Sequence, residues 1–281
     1  MTLNLPQNLK DLPPVRELIS QYGLKPDKKL GQNFLFDLGI TDQIVLSAGN
    51  LEGKTVLEIG PGPGALTRSI LASQAKRIIA VETDERCIRA LRQMEMLSEG
   101  RLAVIHEDAM KLNLSTLSNE KLFVISNLPY NIGTILLYNW LEDTERFLGF
   151  VLMLQKEVVQ RICARPSSPG YGKLSILAQI KAKTDVVFDV DPEFFFPPPK
   201  VTSSIVRILP YEKPPHEYEI MRLKKILNAA FGKRRKMVRT SLAPVFEDLQ
   251  KVLSELNIEP TARAEDLTVE QFCALSVYEQ K

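Results

Sequence analysis

The stretch that decides the reading is residues 55–67, TVLEIGPGPGALT. Val56, Leu57 and Ile59 form an apolar, β-branched run that stops at Gly60-Pro61-Gly62-Pro63-Gly64, the pattern of a buried strand entering a tight turn. Residues 64–73 then resume helical spacing. A strand, a glycine turn and a helix N-terminus present free backbone N–H groups beside bare backbone, a surface that a nucleotide-type ligand can approach without meeting a Cβ.

The glycine spacing narrows the ligand. A dinucleotide fingerprint has the form G-x-G-x-x-G, whereas Gly60, Gly62 and Gly64 are evenly spaced and two prolines stiffen the turn. Glu82 ends the next apolar run, IIAV, twenty residues past Gly62. An acid at that distance suits a pair of ribose hydroxyls, because a carboxylate accepts from both. The bland alternative is a structural βα turn followed by a solvated glutamate.

Outward from this unit, strand patterns fall at 55–59, 77–82, 102–106, 122–126 and 147–154, and helical patterns at 64–73, 84–96 and 132–142. Such alternation predicts a parallel sheet covered on both faces, with ligands at the carboxyl ends of its strands. Asp108 and Asn127 fall at such ends, beside the glycine turn and Glu82. Upstream, residues 1–14 read as a loose, proline-interrupted lead-in, a helix follows Pro13-Pro14, and 37–48 is helical. In KKLGQNFL, residues 28–35, Gln32 and Asn33 taken alone are turn or capping residues. Downstream, 156–164 and 173–182 are helical, 185–190 and 203–209 are strands, and Phe194-Phe195-Phe196 runs into a stiff proline stretch. Beyond the linker at 211–216 every good run has helical period, which predicts a small helical domain at 217–281.

Composition sets limits. A chain of 281 residues, 44% hydrophobic and 25% charged, has material for a large globular domain and a small one. Net charge is +2, but residues 200–240 hold eleven Lys/Arg against three Glu, and 241–281 hold three against eight acids. Cys87, Cys163 and Cys273 are scattered and odd in number, which suggests buried thiols rather than a disulfide framework or a zinc site. His106 and His216 have no partner for catalysis or metal binding. No apolar run reaches the ~18 residues of a membrane span, and the N-terminus lacks the blocks of a signal peptide; a cytoplasmic location is expected.

The chemistry is carried by Ser126-Asn127-Leu128-Pro129-Tyr130, directly after the apolar run 122–125. Its plain reading is a turn. The chemical reading is that an exocyclic adenine amine, a poor nucleophile because its lone pair is delocalised, gives its two N–H bonds to the Asn side-chain oxygen and to a main-chain carbonyl fixed by proline. Pyramidal attack geometry is then favoured without a general base, and the following Tyr offers a stacking face.

Taken together, KKLGQNFL, VLEIGPGPGALT, VETD, EDAM, SNLPY, FFFPPPKVTSSIVRI and FGKRRKMVRTSL resemble the ribosomal RNA adenine dimethyltransferase family, most closely its bacterial small-subunit branch, from about residue 28 to the C-terminus. The resemblance implies an α/β fold, a class I (Rossmann-like) S-adenosylmethionine-dependent methyltransferase with a seven-stranded, mainly parallel sheet over 28–210, preceded by a lead-in and helix over 1–27 and followed by the helical, RNA-binding domain. It implies N6,N6-dimethylation of two adjacent adenosines in a hairpin loop near the 3′ end of 16S rRNA, within a 30S or pre-30S particle, by a monomer without metal. Asn33 and Leu35 would close one side of the cofactor pocket, with Gln32 close by. Gly60, Gly62 and the adjoining turn would run under the methionine moiety, Glu82 would hold the ribose and Asp108 the adenine amine. Asn127 would serve cofactor and target, while Leu128, Pro129 and Tyr130 build the base pocket. The basic cluster Lys224, Lys225, Lys233, Arg234, Arg235, Lys236 and Arg239 would grip RNA phosphates, its bland reading being a solvated helix face. Met237 within FGKRRKMVRTSL departs from the expected pattern. A relative acting on 23S rRNA shares the cofactor and NLPY signatures, and the long phenylalanine-proline and FGKRRKMVRTSL segments favour the small-subunit branch. A non-catalytic assembly factor on the same fold is opposed by the intact NLPY, and a nicotinamide-dependent oxidoreductase by the glycine spacing.

Overall fold

The computed structural model describes residues 3–27, 31–233 and 236–279. It divides into two compact units, one of residues 1–159 with 185–210 and one of residues 160–184 with 211–281.

The first unit is built on a seven-stranded sheet. Its strands are β2 (Thr55–Ile59), β3 (Arg77–Glu82), β4 (Leu102–His106), β5 (Leu122–Asn127), β6 (Phe147–Gln155), β7 (Ala182–Val190) and β9 (Ser203–Pro210), in the order β4-β3-β2-β5-β6-β9-β7. The pairs from β4 through β6 are parallel, and β9 lies antiparallel to β6. β2 lies inside the sheet, between β3 and β5, and every one of its five residues is buried, which is why it does not alternate between apolar and polar. Two further strands, β1 (Phe34–Leu35) and β8 (Phe195–Phe196), form an antiparallel ribbon in which Leu35 faces Phe195. The ribbon brings the Asn33 segment to the phenylalanine-proline run, a pairing too short to announce itself in sequence.

The helices are α1 (Gln7–Lys10), α2 (Val15–Gln21), α3 (Leu38–Leu46), α4 (Ala65–Leu71), α5 (Glu85–Leu97), α6 (Leu114–Leu117), α7 (Gly133–Glu142), α8 (Lys156–Cys163), α9 (Lys173–Gln179), α10 (Ile220–Gly232), α11 (Val238–Ser241), α12 (Leu249–Glu255) and α13 (Val269–Val277). α3 and α5 start at Asp37 and Asp84, whose side chains accept from Ile40 and Arg86 backbone N–H groups, ordinary N-caps. No described helix is long and apolar enough to cross a membrane.

Three expectations need correction. Residues 3–14 are not loose: Leu9 and Leu12 are buried in the main core, Asn4 N–H bonds to the Ala72 carbonyl, and Pro6 and Pro14 sit at the N-caps of α1 and α2. The helix expected at 173–182 ends at Gln179, and Ala182 already belongs to β7, where alternating β-branched residues favour extension. Of the cysteines, Cys87 and Cys273 are buried, but Cys163 is only partly so.

The second unit is helical around its own core. Leu223, Ile226, Leu227 and Ala230 of α10 are buried together with Val252 and Leu253 of α12 and Phe272 and Leu275 of α13. Ile176 and Ile180 join the same core, and Tyr171 donates its hydroxyl to the Leu267 carbonyl at 2.9 Å. The stretch before β7, with Ala164, Tyr171, Ile176 and Ile180, read from sequence with the sheet, thus packs within the helical unit.

Candidate active site

The strand order reverses between β2 and β5, with β3 and β4 to one side and β6 to the other. Such a reversal leaves a crevice at the carboxyl ends of the two strands. The glycine turn follows β2 and the NLPY turn follows β5, so both open into it. Ser126 ties them, donating Oγ–H to the Ile59 carbonyl at 2.6 Å while fully buried. The resulting cavity, about 280 Å³, is lined by Gln32, Asn33 and Leu35, by Gly60 and Gly62, by Glu82 and Asp108, and by Asn127 through Tyr130. The candidate cofactor and base-pocket residues are therefore brought to one place.

Gly62 shows why the turn needs glycine. Its φ is +56°, and a Cβ there would lie 3.1 Å from Phe34 Cδ1. Phe34, which the sequence reading passed over, packs on that bare backbone and is buried.

Glu82 is 6% exposed. Its Oε1 accepts from the Thr83 N–H (2.7 Å) and the Asp84 N–H (3.0 Å), and its Oε2 accepts from the Gly62 N–H (3.0 Å). Burial pushes its carboxyl above the usual range, and the three donors pull the other way without cancelling it. Oε2, with a single partner, keeps acceptor capacity for a ligand hydroxyl. Glu58, also missed, lines the same cavity from within β2 and is 1% exposed. Burial raises its pKa to about 8, although Thr67 donates to Oε2 at 2.7 Å. The acid inside the apolar run VLEIG was its available signal.

Gln32 acts as a brace. Its Oε1 accepts from Asp27 N–H at 2.9 Å and its Nε2 donates to Asp84 Oδ2 at 2.9 Å. Arg86 forks onto the same carboxylate, Nε to Oδ1 at 2.9 Å and a terminal nitrogen to Oδ2 at 2.7 Å, and holds the Asp84 pKa down at about 2. Asp108 Oδ1 accepts from Met110 N–H at 2.9 Å.

In the NLPY turn, Asn127 Nδ2 lies 3.5 Å from the Asn33 carbonyl, and its Oδ1 accepts no bond among the described residues. The Pro129 carbonyl is taken by the Ile132 and Gly133 N–H groups, at 3.2 and 2.9 Å, while the Leu128 carbonyl has no such partner among the described residues. Two free acceptors on adjacent residues therefore stand at the cavity wall, the pair that a primary amine needs. Tyr130 donates to or accepts from Ser203 at 2.5 Å.

The basic cluster belongs to the other unit. Lys225, Lys233, Lys236 and Arg239 are exposed and Lys224 is partly buried; Arg234 and Arg235 lie outside the described residues.

The family of ribosomal RNA adenine dimethylases matches residues 23–281 of the chain. A ribosomal RNA small subunit methyltransferase A of Agrobacterium fabrum is 47% identical over 94% of the chain and 97% of its own length, and one of Xanthobacter autotrophicus is 46% identical over 95% and 94%. Among solved structures, a dimethyladenosine transferase from Plasmodium falciparum superposes with a TM-score of 0.73 at 26% identity, covering 85% of this chain and 94% of that one. The 23S rRNA methyltransferase ErmE, at 23% identity and a TM-score of 0.70 over 86% and 98%, shares the fold. With the family matched over residues 23–281 and sequence shared at 47% identity over almost the whole length, the chain belongs to the ribosomal RNA adenine dimethylase family.

Proposed function

We propose that the protein uses S-adenosylmethionine to dimethylate N6 of two adjacent adenosines in a hairpin loop near the 3′ end of 16S rRNA, within a 30S or pre-30S particle. The observation that carries the amine chemistry is the pair of acceptors unpartnered among the described residues, Asn127 Oδ1 and the Leu128 carbonyl, at the wall of the cavity that also holds Glu82; the small-subunit substrate is supported by similarity to the small subunit methyltransferase A relatives. When bound, S-adenosylmethionine supplies an electrophilic methyl group. The cradle fits it: Gly60 and Gly62 line the cavity with backbone alone, Glu82 keeps an acceptor for a ribose hydroxyl, and Asp108 lines the cavity with one carboxylate oxygen to spare. Asn127 and Leu128 accept the two N–H bonds of the target amine and favour its pyramidal form, and Tyr130 offers its ring to the base. The monomethylated product still has one N–H to give to this pair, so the second transfer engages one acceptor where the first engages two.

The exposed residues Lys225, Lys233, Lys236 and Arg239 supply phosphate contacts that hold the loop without reading its sequence. The test is methyl transfer from labelled cofactor to unmethylated 30S particles, naked 16S rRNA and 23S rRNA. Dimethyladenosine confined to the 16S hairpin supports the reading, and product on 23S rRNA overturns the substrate assignment. Asn127→Ala, folded and still binding cofactor, is expected to make no dimethyladenosine by mass spectrometry of digested rRNA. Normal product from it would end the proposed role of the acceptor pair.

A further inference from the structure

The segment FFFPPPKVTS, residues 194–203, whose aromatic run had no clear task in the sequence, ends at Ser203, the first residue of β9. Ser203 is fully buried, and its Oγ lies 2.5 Å from the Tyr130 hydroxyl across 73 positions of sequence. The serine is held independently of that bond. Its backbone pairs with Gln155 of β6, and Lys156 N–H donates to the Thr202 carbonyl at 3.0 Å. The next residue, Ser204, bonds to Asp189, which also takes Lys156 Nζ at 2.6 Å. Tyr130, by contrast, sits in a turn just after Pro129 and is only partly buried. A tyrosine ring so placed swings about its Cα–Cβ bond unless its far end is tied, and base stacking depends on where the ring lies.

We propose that Ser203 is a positioning residue for the methyl transfer, holding the Tyr130 ring in its place at the cavity wall by gripping its hydroxyl from the start of β9. This rests on the reading of Tyr130 as the stacking face for the target adenine. Burial raises the phenol pKa, so Tyr130 stays protonated and keeps its bond to Ser203 across the working pH range. Ser203 touches neither base nor cofactor in this account and acts only through the ring.

The test is a double-mutant cycle on methylation of unmethylated 30S particles, with cofactor affinity read by calorimetry. Ser203→Ala and Tyr130→Phe should each lower kcat/KM for the particle about fivefold to tenfold, the worth of one hydrogen bond, while cofactor affinity stays at the wild-type value. The double variant should be no worse than either single one. A Ser203→Ala effect that persists undiminished in the Tyr130→Phe background would assign Ser203 to strand packing and overturn the proposal. Wild-type kcat/KM for Tyr130→Phe would overturn it as well, and that variant leaves β9 untouched should Ser203→Ala fail to fold. Tyr130→Ala separates the two levels: full activity removes the stacking reading and the proposal with it, whereas a large loss together with an additive cycle removes the proposal alone.

Discussion

Glu82→Gln is the sharpest probe of the cofactor cradle, because it keeps the shape of the side chain and changes only what its ends accept. The carboxylate holds three backbone N–H groups, two on Oε1 and one, from Gly62, on Oε2. Glutamine does best by placing its carbonyl oxygen at Oε1, which retains Thr83 and Asp84. Its NH₂ group then points at the Gly62 N–H across a contact that is now 3.0 Å, donor against donor. One buried N–H left without an acceptor costs about 1–3 kcal/mol, and the opposite amide orientation orphans two. The strain falls on the glycine turn, which relieves it by moving away from Glu82 and so distorts the floor of the cavity. Calorimetry with S-adenosylmethionine should therefore show affinity lowered ~5- to 150-fold, and circular dichroism a Tm lowered by ~2–10 °C in a domain of this size. A folded Glu82→Gln protein with wild-type affinity and Tm would refute the reasoning and remove Glu82 from the site.

Three further outcomes are expected. Glu58, with its folded pKa raised from 4.5 to about 8, binds its proton more tightly in the native state, so its stabilising contribution is complete below pH 4.5 and lost by about pH 8. Melts of the wild type should drop across that window, Glu82 adding in the same direction, and an equal drop in Glu58→Gln would exclude Glu58 as a source. Asp84→Asn should weaken the Arg86 fork and the Gln32 brace and so reduce cofactor affinity about tenfold, the worth of one charged hydrogen bond, without changing RNA affinity; parallel losses in both would point to general unfolding instead. Replacing Lys225, Lys233, Lys236 and Arg239 by Ala should flatten the dependence of 30S binding on log salt by about 0.7–0.9 per lost phosphate contact, and an unchanged slope returns the cluster to a solvated face.

What the sequence discloses follows from how local each cause is. The parallel strands were legible because burial on both faces writes itself as an apolar run, as in residues 122–126, and the acids and turns at their ends mark the ligand edge. The lead-in was misread because prolines at 6, 13 and 14 suggest a broken chain, whereas Pro6 and Pro14 begin helices and Leu9 and Leu12, three apart, share a buried face. Long-range pairs left no such mark. That Leu35 meets Phe195, that Gln32 spans Asp27 and Asp84, and that Ser203 grips Tyr130 are decided by where β9 and the β1–β8 ribbon bring distant residues. These contacts have a shared consequence for the chemistry. The glycine turn and the NLPY turn are each closed by hydrogen bonds of their own, Gly64 N–H to the Pro61 carbonyl and Ile132 and Gly133 N–H to the Pro129 carbonyl, but those bonds do not set one turn against the other. Glu82 and Phe34, distant in sequence, hold the first, and Ser126, directly before Asn127, ties the second to it through the Ile59 carbonyl. Under the proposed function, the motifs supply the reacting groups and the holding residues set whether those groups meet at reacting distance. A substitution at Ser126, which carries no chemistry, is therefore expected to damage methyl transfer by separating two turns that are individually intact.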